Sequence, residues 1–217
     1  MNFFKILVCF TICLLWAGFA LAQNESDERP LLEVDDGISI SRDSLFLLNL
    51  RFRMQNRLGM RSFAGDDLRI DEVDARVRRL RLRFDGYVLH EKLLYYIQLS
   101  FSRADQDLER GAIAHPIRDA VLYYNLSPSF YFGLGQAKLP GNRQRVTSSG
   151  NMQFAERSIV NTAMTLDRDF GLFAYFNRNS AVGWWYLKTA LSTGEGRNAP
   201  PGNNGLAYTA RLEYLPL

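Results

Sequence analysis

Residues 76–84 read RVRRLRLRF, five arginines in nine positions with Val77, Leu80, Leu82 and Phe84 between them. Leu80, Leu82 and Phe84 share one parity, and Arg79, Arg81, Arg83 and Asp85 share the other. That period of two belongs to a strand with one apolar and one polar face. A helix would gather Val77, Leu80, Arg81 and Phe84 and leave Leu82 isolated, so the strand accounts for more positions. Val77 falls out of phase, which predicts a β-bulge near Arg78 and Arg79.

The same scheme runs upstream in LLNLRFRMQNR (47–57), where Leu48, Leu50, Phe52 and Met54 oppose Asn49, Arg51, Arg53 and Gln55. Further strands are expected at 94–102, 117–126, 129–138, 169–177, 183–192 and 206–214, eight in all with 44–56 and 77–88. Several match the ~9–11 residues that a tilted strand needs to cross a bilayer. Their connections alternate. Those at 58–73, 103–116, 139–168 and 193–205 are long, while those near His90–Lys92, at Ser127-Pro128 and at 178–182 are short. Long and short linkers segregated to opposite ends predict an all-β, antiparallel up-and-down transmembrane barrel with its tight turns on the periplasmic side. Tyr123, Tyr124, Tyr131 and Phe132 flank one short turn and Trp184 and Trp185 follow the next, as amphipathic rings at a headgroup interface would.

If this sheet meets lipid, the arginine face must be the inner one. An arginine on the lipid face at mid-bilayer costs about 2–4 kcal/mol, and Arg51, Arg53, Arg79, Arg81 and Arg83 would pay it together. A wet lumen lined this way concentrates anions, because a low-dielectric wall focuses the field of a few fixed charges. Guanidinium forks match phosphate, sulfate or carboxylate oxygens, and ladders of basic residues are a recognised route to anion selectivity. The competing expectation is neutralisation by lumenal carboxylates, with Asp85, Asp119 and Glu213 as candidates.

The longest linker, LPGNRQRVTSSGNMQFAERSIVNTAMTLDR (139–168), carries Arg143, Arg145, Arg157 and Arg168, hydroxyls at Thr147, Ser148 and Ser149, and apolar Met152 and Phe154. A loop of this length in a compact fold usually has a function. Its apolar content predicts packing inside the barrel, with Arg143, Arg145 and Arg157 in or near a constriction and Lys138 at the loop's mouth.

The chain opens MNFFKILVCFTICLLWAGFALAQ, one lysine before a long apolar run and an Ala-Leu-Ala site. This pattern predicts a signal peptide at 1–22 cut before Gln23, then a polar, irregular periplasmic segment at 23–43 and the barrel at 44–217. Cys9 and Cys13 both lie in the leader, so the exported chain has no disulfide and no thiolate site. Removing the leader takes Lys5 from the 26 basic residues, leaving 25 against 23 acidic ones. Near-neutral charge and export argue against nucleic acid as partner for RVRRLRLRF. His90 and His115 fall in a turn and a loop, and Ser148-Ser149-Gly150 lacks a nucleophile elbow, so neither an enzyme nor a cofactor is expected. The acidic run GDDLRIDEVD (65–74) lacks calcium-loop spacing and reads as a solvated loop.

GLGQAKLPGNRQRVTSSGNMQFAERSIVNTAMTLDRDFG (133–171), RRLRLRFDG (78–86) and the closing YTARLEYLPL (208–217) together resemble the phosphate-selective porin O and P family. The resemblance implies an outer-membrane barrel of sixteen strands, usually trimeric, passing phosphate or polyphosphate through a constriction guided by arginines and lysines. Eight strands are half of such a barrel, and the chain ends in Leu217 rather than in an aromatic residue. The expectation is therefore the N-terminal half of a longer or disrupted porin. The alternative is a small eight-stranded barrel, structural or adhesive, whose filled interior conducts nothing. Phosphate or other small anions and outer-membrane lipid are the partners expected.

Overall fold

The computed structural model describes residues 32–35, 37–42, 44–63, 65, 69–102, 115–154, 156–200, 202 and 205–216. The expected leader at 1–22, Asp66 and Asp67 of the acidic run, and most of the 103–116 linker lie outside the described residues.

Among the described residues ten strands follow one another: β1 (Leu32–Asp35), β2 (Gly37–Arg42), β3 (Phe46–Arg61), β4 (Glu72–Val88), β5 (His90–Ser100), β6 (Ile117–Ser127), β7 (Phe130–Lys138), β8 (Arg168–Ser180), β9 (Gly183–Ser192) and β10 (Ala207–Pro216). Each pairs antiparallel with the next in a single sheet ordered from β1 to β10. All eight expected strands are present. The expectation fails at the N-terminal segment, where residues 32–42 form two additional strands rather than irregular chain. Ile38 and Ile40 alternate there with Ser39 and Ser41, a period of two too short to stand out among the surrounding charges. Nor does the sheet close among the described residues, where β1 and β10 end the order without pairing to each other.

The linkers segregate as expected. Leu89, Pro128-Ser129 and Ala181-Val182 make tight turns at one end, while 62–71, 101–116, 139–167 and 193–206 leave from the other. At the N-terminal edge β1 and β2 are only four and six residues long, and β2 reaches no further along β3 than the Ile38–Leu50 pair. β3 and β4 run to 16 and 17 residues, and β4 pairs with β5 only as far as Arg81, so the outer part of their hairpin projects past β5 at the long-loop end.

Burial is inverted relative to a soluble fold. Among the described residues six hydrophobic side chains are buried against twelve polar or charged ones, which include Arg79, Gln98, Arg118, Asp119 and Arg168. The other face is a continuous apolar sheet: Phe52, Leu122, Leu134, Leu172 and Leu212 are each 51–65% exposed. Water would not tolerate so wide an apolar face, and hydrocarbon requires it.

The bulge at Arg78 explains the phase slip. Gln55 pairs with Arg79 and the next residue, Asn56, pairs with Val77, so Arg78 has no opposite number. Skipping one residue returns Val77 and Val73 to the face of Leu58 and Met60, all of them exposed.

The aromatic rings divide between the two faces, which corrects the expectation that all of them mark the interface. Tyr124 and Phe132 meet at 5.7 Å and Trp185 and Tyr214 at 4.4 Å on the apolar face near the tight turns. Tyr123 and Tyr131 have the opposite parity and stand inside, where Tyr131 stacks on Tyr175 at 4.7 Å. Gly133, opposite Tyr123, makes room for this cluster, since a Cβ there would lie 2.5 Å from the Tyr123 ring.

Candidate functional site: a basic cavity between the sheet and the longest loop

The register of β3 and β4 sets arginine against arginine: Arg51 opposes Arg83, Arg53 opposes Arg81, and Gln55 opposes Arg79. Like charges directly opposite are unfavourable in a sheet, so this wall needs oxygen atoms facing it. Some come from the sheet. Gln55 accepts from Arg79, and Asp85 lies 2.6 Å from Arg83, whose guanidinium also stacks 4.7 Å over the Tyr96 ring.

The rest come from the loop at 139–167, which lies across the polar face. Its base closes by Leu139 N donating to Asp167 O at 2.9 Å. Two short helices follow, α1 (Arg143–Val146) and α2 (Ile159–Ala163). The Asn142 side chain accepts from Arg145 N at 2.9 Å, and the Ser158 hydroxyl accepts from Asn161 N at 3.4 Å, the capping that a helix start needs. Lys138 Nζ donates to Val146 O at 3.1 Å, and Arg157 donates to the carbonyls of Gln144 and Thr147, each at 2.9 Å. From β10, Arg211 reaches Gly141 O at 2.8 Å.

On the arginine wall Ser149 Oγ accepts from both Arg53 (2.6 Å) and Arg81 (3.0 Å), while Glu156 accepts two bonds from Arg78. Polar contacts fasten this loop, not the apolar packing expected from its composition. Phe154, Ile159, Val160 and Met164 are all strongly exposed.

Between loop and wall lies a cavity of about 850 Å³ lined by eleven arginines and Lys138, with Glu156 and Asp167 the only carboxylates on its lining among the described residues. Of the ten residues expected from the sequence, Arg51, Arg53, Arg79, Arg81, Arg83, Lys138, Arg145, Arg157 and Arg168 all line it. Arg143 does not. It points away, exposed, and lies 3.7 Å from Glu213.

The neutralising carboxylates are also engaged. Asp119 holds buried Arg168 through two bonds of 2.9 and 3.0 Å, with Asp167 a further 2.9 Å partner. Arg168 is therefore a structural cation as much as a lining one. Burial pushes the Asp167 carboxyl up, but Arg168 and Arg145 outweigh it and hold it below the usual range. Arg157 is drawn down by burial and by the neighbouring Arg145, Arg79 and Arg168.

Three lining arginines escaped the sequence reading, and two share a cause. Arg78 is the bulged residue of β4. Arg118 is skipped in the same way between β5 and β6, where Gln98 pairs with Asp119 and Leu99 with Ile117. A bulge re-aims a side chain that strict alternation would send to lipid. Arg197 arrives from the 193–206 loop, whose Asn198 is anchored to Gln136 and to Ile117 O, each at 2.8 Å; no periodicity marks it.

An antiparallel meander with one charged, polar face and one exposed, apolar face defines a class, the strand-built membrane protein. Within it, the chain belongs to the phosphate-selective porin O and P family, whose profile matches residues 48–217. That family places it among outer-membrane porins, as a channel protein and not an enzyme, with small anions as cargo. No curated protein and no solved structure matches the chain significantly.

Proposed function

We propose that this protein conducts anions of the phosphate type passively across the outer membrane, through a lumen whose narrowest part is the arginine wall and the loop facing it. The observation that carries this reading is the cavity with twelve cationic residues and two carboxylates on its lining. Fixed charge of one sign in a low-dielectric tube enriches the opposite ion, and the guanidiniums offer paired donors to oxyanions. Arg51, Arg53, Arg79, Arg81 and Arg83 form one wall, Arg145 and Arg157 stand on the loop side, and Lys138 tethers the loop at its base. Each acts as a charge and hydrogen-bond donor; none does covalent chemistry.

A pore also requires a closed ring, because lipid cannot satisfy bare strand edges. The sixteen-stranded barrel implied by the resemblance would supply partners for β10 and for the outer part of β3, and such barrels would associate as trimers. The leader at 1–22 would direct export.

Planar-bilayer recording tests this reading. The protein should give anion-selective steps, and Arg81→Glu together with Arg83→Glu should lower anion-over-cation selectivity by about tenfold, as expected for reversing charges at a constriction. A correctly inserted but silent protein would support the small non-conducting barrel instead.

A further inference from the structure

The loop brings a carboxylate of its own to the arginines. Glu156 meets Arg78 side-on, Oε1 at 2.7 Å from Nε and Oε2 at 3.0 Å from Nη2, the forked geometry an oxyanion would take. Arg79 lies 3.6 Å away and Arg57 3.8 Å. The second lining carboxylate is placed differently. Asp167 sits beside β8, closed in by Arg145 and by Arg168 at 2.9 Å, and belongs to the scaffold. Glu156 lies in mid-loop, its side chain 45% exposed.

We propose that Glu156 is a specificity-determining residue, a tethered carboxylate that competes with an entering anion for Arg78 and Arg79. The inference rests on the anion-channel reading above. One guanidinium edge cannot give the same two N–H groups to the loop and to a ligand at once. A monatomic anion such as chloride offers one acceptor atom, towards which both N–H groups must bend, and is a poor replacement for two parallel bonds. A tetrahedral oxyanion presents two or more oxygens at the spacing of a carboxylate and can take both, so it displaces Glu156 where chloride does not. Arg78 is the bulged residue of β4, so this contest takes place beside the Arg79–Arg81–Arg83 row and leaves that row in place.

The test is block of chloride current by inorganic phosphate in planar bilayers. Glu156→Gln and Glu156→Ala each remove the tethered charge without touching strand pairing, so one can stand in if the other fails to insert. Both should lower the half-blocking phosphate concentration about fivefold, the scale of losing one charge-assisted fork as competitor. Glu72→Gln deletes the same charge beside Arg61, 3.2 Å away in the projecting hairpin, and should leave the half-blocking concentration at its wild-type value. An unchanged value in both Glu156 variants, or an equal fall in Glu72→Gln, overturns the inference while leaving an anion-selective wild type intact. A wild type without anion selectivity removes the channel reading, and this inference with it.

Discussion

At the scale of the residue, the sheet sorts side chains by parity, and each parity has its own energetics. Phe52 stands 65% exposed on the outer face between Arg51 and Arg53 on the inner one. Phe52→Arg should therefore destabilise the membrane-inserted protein by about 2–4 kcal/mol, read from urea unfolding in lipid vesicles, whereas Arg53→Leu should cost far less and act on conductance. Glu156 illustrates the second kind of effect. Hydrogen bonds from Arg78 hold its carboxyl below the ordinary glutamate range, against the upward push of burial, with Arg79 of β4 and Arg57 of β3 adding to the pull. A depressed carboxyl keeps its contact above the unfolded value, about 4.3, and loses it only as pH falls through the lower folded value. Chloride conductance should thus stay flat from about pH 7 to 5 and change only below the ordinary glutamate range, and Glu156→Gln should shrink that acid step to the part that Asp167, the other lining carboxylate, contributes.

At the scale of the element, alternation carries most of the fold and bulges carry the exceptions. The eight long strands and the long-short linker rhythm could be read because a half-buried strand writes its two faces in period two. β1 and β2 could not, since four residues of Ile-Ser alternation carry little weight beside a charged segment. Nine of ten expected lining residues meet in one cavity because strand parity and loop length constrain them. Arg78 and Arg118 were missed because a bulge reverses parity at one residue without any mark in composition, and Arg143 was misplaced because a loop's internal turns leave no period. The loop's attachment was misjudged for a related reason: its apolar residues stand out in the sequence, while its polar contacts depend on partners 68 to 96 residues away. The buried Arg168–Asp119 pair joins β8 to β6 with side chains 2% and 4% exposed. Asp119→Ala leaves a buried cation short of its forked partner and should destabilise the protein by about 3 kcal/mol, seen as a lower urea midpoint in detergent.

At the scale of the whole molecule, the sheet is built inside out. Its buried side chains are mostly polar and its apolar ones are mostly exposed, so its stability cannot come from a dry core shielded from water. Backbone pairing along ten strands and burial of the outer face in lipid must supply it, since the sequence has no cysteine after Cys13 and so no disulfide within the sheet. Like-charged pairs such as Arg53 and Arg81 persist in this setting because loop oxygens meet them. Everything proposed for the channel depends on which face is the wet one. Single cysteines placed in turn at positions 79 to 84 of the membrane-inserted protein, with Cys9 and Cys13 replaced, decide it most directly. An inward arginine row predicts labelling by a charged, water-soluble thiol reagent at 79, 81 and 83, and by a lipid-soluble one at 80, 82 and 84. The reverse pattern, or uniform labelling by the water-soluble reagent, would contradict it.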